Sequence, residues 1–199
     1  MCLPWYPWVM SLPPPKPDCD YVRMLFQSMD ASAWAKPGWK TDFTDDGCCK
    51  WEATGGNRVV GCAPKKAANN ITVWRVNWIE MKRIERARGT IPAQLGRLPF
   101  LEQLKVSRSS RVTGTIPPEL CRGAAYSDRL TDLDFQKTEI SGTLPPQCGS
   151  LTKLDYIYLK RSDVSGTLPT QIGKLTALED LKLSKAKFSG TLPAQAAAS

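Results

Sequence analysis

Apolar residues recur along the second half of this chain in a ladder with the form Leu-x-x-Leu-x-x-(Ile/Leu)-x-Leu. The two clearest copies run from Leu151 to Leu159 and from Leu175 to Leu183. The last two apolar positions flank a polar one, as in a short strand whose apolar side chains point inward. The first two leucines are three residues apart, which is typical of the inward face of a helical or 3₁₀ turn. Each ladder therefore predicts one turn and one strand, with the strand residues Ile157, Leu159, Leu181 and Leu183 nearly fully buried.

A second motif, Gly-Thr-(Ile/Leu)-Pro, accompanies the ladder and repeats along the same region. Its five copies begin at Gly89, Gly114, Gly142, Gly166 and Gly190. Spacings of 24 to 28 residues are the period of a solenoid. The glycine permits a turn with positive φ after the strand, and the proline keeps a regular helix from starting too early. Because one repeat cannot enclose its own apolar stripe, the repeats must stack to form a core. The predicted fold class is an α/β solenoid with a parallel sheet.

The stretch from Gly166 to Leu183 reads Gly-Thr-Leu-Pro-x-x-Ile-Gly-x-Leu-x-x-Leu-x-x-Leu-x-Leu, which resembles the plant-type leucine-rich repeat. The resemblance covers residues 71–193 and implies a horseshoe or superhelix. The chain departs from the family at one position, which usually holds Asn three residues after the last strand aliphatic. That position is filled here by Ser109, Thr138, Ser162 and Ala186. Hydroxyls can replace some of the hydrogen bonds of the Asn side chain, whereas alanine cannot.

The segment before the repeats is similar to the N-terminal cap of the same family, which pairs a short amphipathic helix with a Cys-Cys-x-Trp turn. In the helix, Asp20 is predicted as the N-cap. One helical face would carry Val22, Leu25, Phe26 and Met29. A cap is physically required, because the first strand would otherwise expose a sheet edge and the end of the core.

The resemblance also bears on the residues that follow this helix. The Cys-Cys-x-Trp turn is Cys48-Cys49-Lys-Trp51, and the resemblance implies that Cys62 is joined to Cys49 or Cys48. The first strand is predicted at Val73–Val76, with Ile71 before it.

These assignments divide the chain into four parts. Residues 1–17 form an irregular Pro-rich leader, 18–70 the capping region, 71–193 about five repeats with the last one incomplete, and 194–199 a tail. The first ten residues lack a basic n-region and make a poor signal peptide. No apolar run is long enough for a membrane span. Because the last motif opens a repeat without a closing cap, we expect a fragment of a longer receptor-like protein.

The seven cysteines bear on compartment and on packing. Clustered Cys48, Cys49 and Cys62 favour an oxidising compartment, since a zinc site wants four ligands and the cluster offers three. Cys148 occupies the slot that Leu95, Leu120 and Ile172 fill in other repeats, so it is predicted to remain a buried thiol. Asn70-Ile71-Thr72 is a glycosylation sequon, which makes Asn70 a candidate glycosylation site.

The composition narrows the chemistry because the chain of 199 residues contains no histidine. This excludes Ser-His-Asp and Cys-His nucleophile arrangements and His-ligated metal sites. Paired carboxylates remain: Asp132 and Asp134 share one strand face and could be joined by Asp155, an arrangement that a glycoside hydrolase could use. Acidic residues on an exposed strand face are more often solvated or bound to a partner. We therefore predict no enzyme, no cofactor and no metal.

The strand face is the predicted binding surface. Aligning the repeats places four basic residues in one column, two residues past the last strand aliphatic: Arg108, Lys137, Arg161 and Lys185. Tyr156 and Tyr158 point the same way and can stack or hydrogen-bond. A formal net charge of +8 favours acidic partners. A solvated basic rim without a partner is the alternative interpretation.

The predicted function is that of an extracellular or receptor-like recognition module, which binds a protein or an acidic glycan rather than a nucleic acid. An intracellular leucine-rich repeat scaffold with reduced, cytoplasmic cysteines is the alternative, and a carboxylate-based glycoside hydrolase is less favoured.

Overall fold

The computed structural model describes residues 18–30, 59–66, 72–122 and 129–191. Helix α1 spans Asp18–Ser28 and helix α2 spans Glu119–Arg122. In chain order the strands are β1 (Val60–Lys66), β2 (Thr72–Lys82), β3 (Arg88–Thr90), β4 (Gln103–Ser107), β5 (Arg111–Thr113), β6 (Asp132–Asp134), β7 (Ser141–Gly142), β8 (Tyr156–Tyr158), β9 (Asp163–Gly166), β10 (Asp180–Lys182) and β11 (Lys187–Phe188).

The main sheet has six strands in the order β1-β2-β4-β6-β8-β10. Strand β1 is antiparallel to β2, and every later neighbour is parallel. Two smaller parallel sheets, β3-β5 and β7-β9-β11, are formed by the short strands that follow the main-sheet strands in each repeat. They are linked by a bridge between Thr115 and Ser141. One main-sheet strand per repeat in sequential order confirms the predicted solenoid with a parallel sheet and a helical cap.

Two apolar rows form the core beneath the main sheet. The first joins Ile79, Leu104, Leu133, Ile157 and Leu181 in register, and the second holds Met81, Val106, Phe135, Leu159 and Leu183. Ile157 and Leu159 are fully buried, as predicted. Leu181 and Leu183 are only half-buried, so their predicted near-complete burial is wrong. Strand β10 pairs with β8 on one side, and no described element packs against its other side.

The chain returns between strands through short turns on the other side of the core. These contain α2 and three 3₁₀ helices, Ala93–Arg97, Pro146–Ser150 and Thr170–Lys174. Pro145 and Pro169 are extended and stand immediately before two of the 3₁₀ helices, and the five motif glycines have positive φ, as predicted. Leu151 and Leu154 are buried but follow their 3₁₀ helix in a hydrogen-bonded turn, rather than lining the helix itself.

The N-terminal helix covers the first repeat. Its predicted apolar face, Val22, Leu25, Phe26 and Met29, is fully or almost fully buried. Asp20 is not an N-cap, because α1 already includes Asp18. The Asp18 carboxylate is buried and accepts hydrogen bonds from Arg75 Nε at 2.9 Å, from Arg75 Nη2 at 2.6 Å and from the Val76 N–H at 2.9 Å. This contact fixes the helix to β2.

The first repeat differs from its prediction in register. Strand β2 begins at Thr72 and continues to Lys82, well past the predicted end at Val76. Ile79 and Met81, not Val73 and Val76, align with the strand residues of later repeats. The longer strand arises because β1 pairs antiparallel with its residues Thr72 to Ile79. Pro64 is tolerated in β1 because this is an edge strand.

The cysteines require a further correction. Cys148 is not a thiol, since it forms a disulfide with Cys121, and both residues are fully buried. The bond joins α2 to the 3₁₀ helix Pro146–Ser150 of the next repeat, because stacking brings residues about one period apart into contact. Cys19 and Cys62 are also disulfide-bonded. Cys48, Cys49 and the sequon residue Asn70 lie outside the described residues, so the pairing of Cys62 and the glycosylation site stay predictions.

Hydroxyl groups do replace part of the missing asparagine hydrogen bonds. Ser109, Thr138 and Ser162 are buried and donate to backbone carbonyls of their own repeats, at 3.3 Å, 2.7 Å and 2.7 Å respectively. Ala186 lacks such a group, and only its backbone N–H bonds to the Leu183 carbonyl, at 3.0 Å. Within the described ranges, no helix is long and apolar enough to cross a membrane.

Candidate ligand-binding face

The outward side of the parallel strands forms one continuous surface, which we call the strand face. Two outward positions of each strand align across it. The rows they form are Trp78, Gln103, Asp132, Tyr156, Asp180 and Glu80, Lys105, Asp134, Tyr158, Lys182. The predicted shared orientation of Tyr156 and Tyr158 is therefore observed, and Asp132 and Asp134 also lie on one face.

The two tyrosines are the centre of a polar cluster at the β8–β10 end of the strand face. Their ring centroids are 5.9 Å apart. The Tyr156 hydroxyl donates to Glu179 Oε2 at 3.1 Å, and the Tyr158 hydroxyl donates to Asp180 Oδ2 at 3.0 Å. Lys182 Nζ lies 2.7 Å from Asp180 Oδ2 and 4.1 Å from the Tyr158 ring centroid. The cluster thus holds the half-exposed Tyr158 ring in place.

Ionisation in this cluster follows from the same contacts. The hydrogen bond to Glu179, with the negative charges of Glu179 and Asp155, raises the pKa of Tyr156 above its ordinary value. Hydrogen bonding from Lys182 lowers the pKa of Asp180, and the same contact raises the pKa of Lys182. At neutral pH Tyr156 is therefore neutral, Asp180 is a carboxylate and Lys182 is an ammonium group.

The predicted basic column lies where the strands end, and the structure extends it by one residue. We call Arg83, Arg108, Lys137, Arg161 and Lys185 the basic row; Arg83 was missed because the first repeat was read in the wrong register. Consecutive backbones are joined by hydrogen bonds from Arg83, Arg108, Lys137 and Arg161 to the next repeat, at 2.9–3.1 Å. Four of the five side chains are exposed and Lys137 is half-buried.

All five residues of the basic row have a left-handed backbone, with φ between 56° and 63°. Non-glycine residues rarely adopt this conformation, and Asn is among those that tolerate it best. Arginine and lysine are therefore poor conformational choices at five successive repeats.

The like charges of the row also interact. The pKa of Lys137 lies below its ordinary value, first because of the Arg108 guanidinium, then because of burial, and also because of Arg161, Lys160 and Arg83. The row is thus unfavourable both in conformation and in charge.

The carboxylates considered for hydrolysis are engaged elsewhere. Asp132 accepts a hydrogen bond from Thr131 at 2.8 Å and pairs with Lys105 at 3.0 Å. Asp134 is buried, and both of its oxygens accept hydrogen bonds from Gln136, at 2.9 Å and 3.0 Å. These contacts give both groups structural roles. That the chain is not an enzyme stays a prediction.

One cluster was not foreseen from the sequence. Three cations surround the Phe100 ring beside the first strands: Arg129 at 4.8 Å, Arg75 at 5.3 Å and Lys65 at 5.6 Å from its centroid. Lys65 also pairs with Glu102 at 3.3 Å, and Arg75 with Asp18. Phe100 lies outside the apolar ladder, so the repeat pattern carried no signal for it. Within the described residues, no group of His, Cys, Asp or Glu could hold a metal ion.

Solved structures share this architecture across most of the chain. The ectodomain of the receptor kinase SOBIR1 from Arabidopsis thaliana matches with a TM-score of 0.71 and 23% identity, over 92% of this chain and 86% of that one. The fold is that of a plant leucine-rich repeat ectodomain. The Arabidopsis BIR2 ectodomain matches the same leucine-rich repeat fold with a TM-score of 0.69 and 26% identity, over 89% of this chain and 84% of that one.

A longer leucine-rich repeat protein is also similar. The Arabidopsis receptor kinase HAESA, solved in complex with the peptide hormone IDA and the co-receptor SERK1, matches with a TM-score of 0.56 and 22% identity. The match covers 91% of this chain and 31% of that one. Models of known protein families were searched without a match, and a comparison with curated proteins found none either.

Proposed function

We propose that this protein is an extracellular recognition module, which binds an acidic segment of a protein ligand through the strand face. The basic row is the main contact, with Tyr156 and Tyr158 beside it. The ligand places carboxylates over Arg108, Lys137 and Arg161, where charge-assisted hydrogen bonds form most readily.

The observation that carries this proposal is the left-handed backbone of the basic row. A solvated rim needs no particular residue type, and Asn or Gly would fit these φ values with less strain. Arginine or lysine nevertheless stands at all five positions, although their like charges lower the pKa of Lys137. Strained residues that persist without a structural reason are characteristic of binding surfaces.

Two further observations support the proposal. Tyrosine and arginine are the side chains that most often dominate protein interfaces. The similar HAESA ectodomain was solved with a peptide hormone and a co-receptor, so this fold can present such a ligand surface.

The proposal is tested with a variant that removes the charge and keeps the backbone. The basic-row variant combines Arg108→Gly, Lys137→Asn, Arg161→Asn and Lys185→Asn. Glycine is used at position 108 because asparagine there would create a glycosylation sequon with Ser110. The probe is a polyglutamate peptide, with an oligogalacturonate as the glycan probe. We expect the variant to bind polyglutamate about tenfold more weakly and with a flatter salt dependence.

A matched control removes four exposed charges elsewhere. It combines Arg111→Gln, Arg122→Gln, Lys153→Gln and Lys174→Gln, which lie outside the strand face. Net charge then changes equally in both variants. Equal weakening by both would show that overall charge alone attracts the probe, and the proposal would fail.

Compartment is tested separately from binding. An extracellular protein keeps the Cys121–Cys148 disulfide, whereas an intracellular scaffold holds its cysteines reduced. We expect Cys121 and Cys148, in unfolded protein from its native source, to be alkylated only after a reductant has been added, as measured by the mass of the peptides that contain them. Alkylation of Cys121 and Cys148 without reductant, in unfolded protein, would favour the intracellular scaffold.

A further inference from the structure

The strand face carries a second row of charge, opposite in sign to the basic row. Glu102, Asp155 and Glu179 each stand immediately before a main-sheet strand. Backbone hydrogen bonds of 2.7–2.9 Å align them through Asn77 and Thr131 in one line across the repeats. We call these three carboxylates the acidic row. It lies at the beginning of the strands, whereas the basic row lies at their end.

Tyr156 stands beside the acidic row. Its hydroxyl donates to Glu179, and Asp155 precedes it in the chain. The negative charges of Glu179 and Asp155 both contribute to its raised pKa, so these two carboxylates make the electrostatic potential at this ring more negative. The Tyr158 ring already lies beneath Lys182, with Nζ 4.1 Å from its centroid. Among the described residues, no comparable cation stands over the ring of Tyr156.

An aromatic ring flanked by carboxylates is suited to a basic side chain. A guanidinium group can stack on the tyrosine face and hydrogen-bond to Glu179 or Asp155 at the same time. Beyond the other end of β8, Arg161 and the neighbouring Lys137, which follows β6, suit a carboxylate. One ligand that spans the face would therefore satisfy both ends.

The distance between the two ends limits the ligand. Asp155 and Arg161 are separated by six positions of one repeat, or about 15–20 Å at about 3.3 Å per extended residue. An extended peptide covers that distance with about five residues.

We propose that the ligand is an extended peptide of mixed charge, whose basic side chain binds Tyr156 between Asp155 and Glu179. An acidic group about five residues away binds Arg161 and Lys137. The peptide lies parallel to β8 and therefore perpendicular to the direction in which the repeats stack. This inference rests on the proposed function, because it uses the basic row for the acidic group.

Three blocked hexapeptides test it, each displayed in many copies on one carrier to raise avidity. The mixed peptide is acetyl-Arg-Ser-Gly-Ser-Gly-Glu-amide. The adjacent peptide has the same composition in the order Arg-Glu-Ser-Gly-Ser-Gly, and the acidic peptide is Glu-Ser-Gly-Ser-Gly-Glu. We expect wild-type protein to bind the mixed peptide about tenfold more tightly than either of the others.

A charge reversal then tests the contact itself. Glu179→Arg should weaken binding of the mixed peptide about tenfold and strengthen binding of the acidic peptide, because the receptor end has changed sign. The matched control is Glu139→Arg, an exposed glutamate outside the strand face, which should leave the order of the three peptides unchanged. Retained folding is checked by thermal unfolding of each variant.

The other outcomes separate this inference from the function on which it rests. Equal binding of the mixed and adjacent peptides, or tightest binding of the acidic peptide by wild type, would overturn the inference. If the basic-row variant still bound the acidic peptide more weakly than wild type does, the proposed function would stand. Binding of the oligogalacturonate alone would overturn both the inference and the proposed protein ligand in favour of a glycan. A basic-row variant that bound every probe like wild type would contradict the proposed function as well.

Discussion

At the residue scale, the basic row combines an unfavourable backbone conformation with repulsion between like charges. Each member has positive φ, which a non-glycine residue adopts at about 1 kcal/mol or more above its preferred regions. The repeat imposes this conformation, because the N–H of Arg161 must reach the Ser184 carbonyl, 3.1 Å away, at the end of the next strand. Stacking of the repeats therefore fixes the backbone conformation, but it does not determine which side chain stands at this position.

Replacement of one such residue should improve stability. We predict that Arg161→Asn raises the free energy of unfolding by about 0.5–1 kcal/mol, because Asn tolerates left-handed backbone better. Chemical denaturation with a linear extrapolation measures it. Lys153→Asn, an exposed change at a residue without positive φ, is the control and should not stabilise. A loss of stability in Arg161→Asn would mean that the arginine has a structural role.

At the element scale, two individual contacts join secondary-structure elements in a way that the repeat pattern does not specify. The cap helix is fixed to β2 by Asp18 and Arg75, which are 57 positions apart in the chain. Two repeats are joined on the turn side by Cys121 and Cys148. Asp18 and both cysteines are buried, and neither contact has a counterpart in the other repeats among the described residues.

The cap contact should contribute much of the docking energy of α1. We predict that Asp18→Ala lowers the free energy of unfolding by about 3 kcal/mol, because it leaves the Val76 N–H and the Arg75 guanidinium without their buried acceptor. Asp20→Ala removes a carboxylate from the same helical turn, where Asp20 pairs with half-exposed Arg23 at 3.2 Å. That control should change the free energy by less than about 1 kcal/mol. Similar losses in both variants would assign the effect to the helix dipole.

The disulfide should stabilise the repeats by restricting the unfolded chain. It closes a loop of 27 residues, for which chain entropy gives about 3.5 kcal/mol. We predict that Cys121→Ala with Cys148→Ala lowers the free energy of unfolding by about that amount, measured under non-reducing conditions. Wild-type protein under the same non-reducing conditions provides the comparison, because a reductant would also break the disulfides of Cys19 and Cys62. An unchanged denaturation midpoint in the double variant would show that stacking alone holds these turns together.

The sequence was most informative where a feature repeats. Ile157, Leu159 and the motif glycines were placed correctly because each has equivalents one period away. Asp18 with Arg75 could not be paired, since no pattern links residues so far apart. Cys148 was misjudged because Cys121 lies one position beside its aligned slot, and stacking brings such neighbours together. Arg83 was missed because β1 extends β2, which moves the first repeat to Ile79 and Met81.

At the scale of the whole molecule, the core is a stack whose burial depends on neighbours. Leu159 and Leu183 occupy the same position in successive repeats, yet only Leu159 is fully buried. We predict that Leu159→Ala lowers the free energy of unfolding by about 2–5 kcal/mol through the cavity it leaves. Leu183→Ala should cost clearly less in the same denaturation experiment. Equal costs would mean that further packing covers the β10 end of the stack.

The central claim is that the basic row is the surface on which an acidic ligand binds. The pKa of Lys137 tests it most directly, because Arg108 and the other cations around it hold that pKa below its ordinary value. Carbon-13 NMR of the lysine side chains, assigned by comparison with Lys137→Asn, measures it with and without saturating polyglutamate peptide. We predict that the pKa of Lys137 rises when the peptide binds, while the side-chain carbon-13 signals of Lys153 on the turn side do not change position. Binding that left the pKa of Lys137 unchanged would contradict the account.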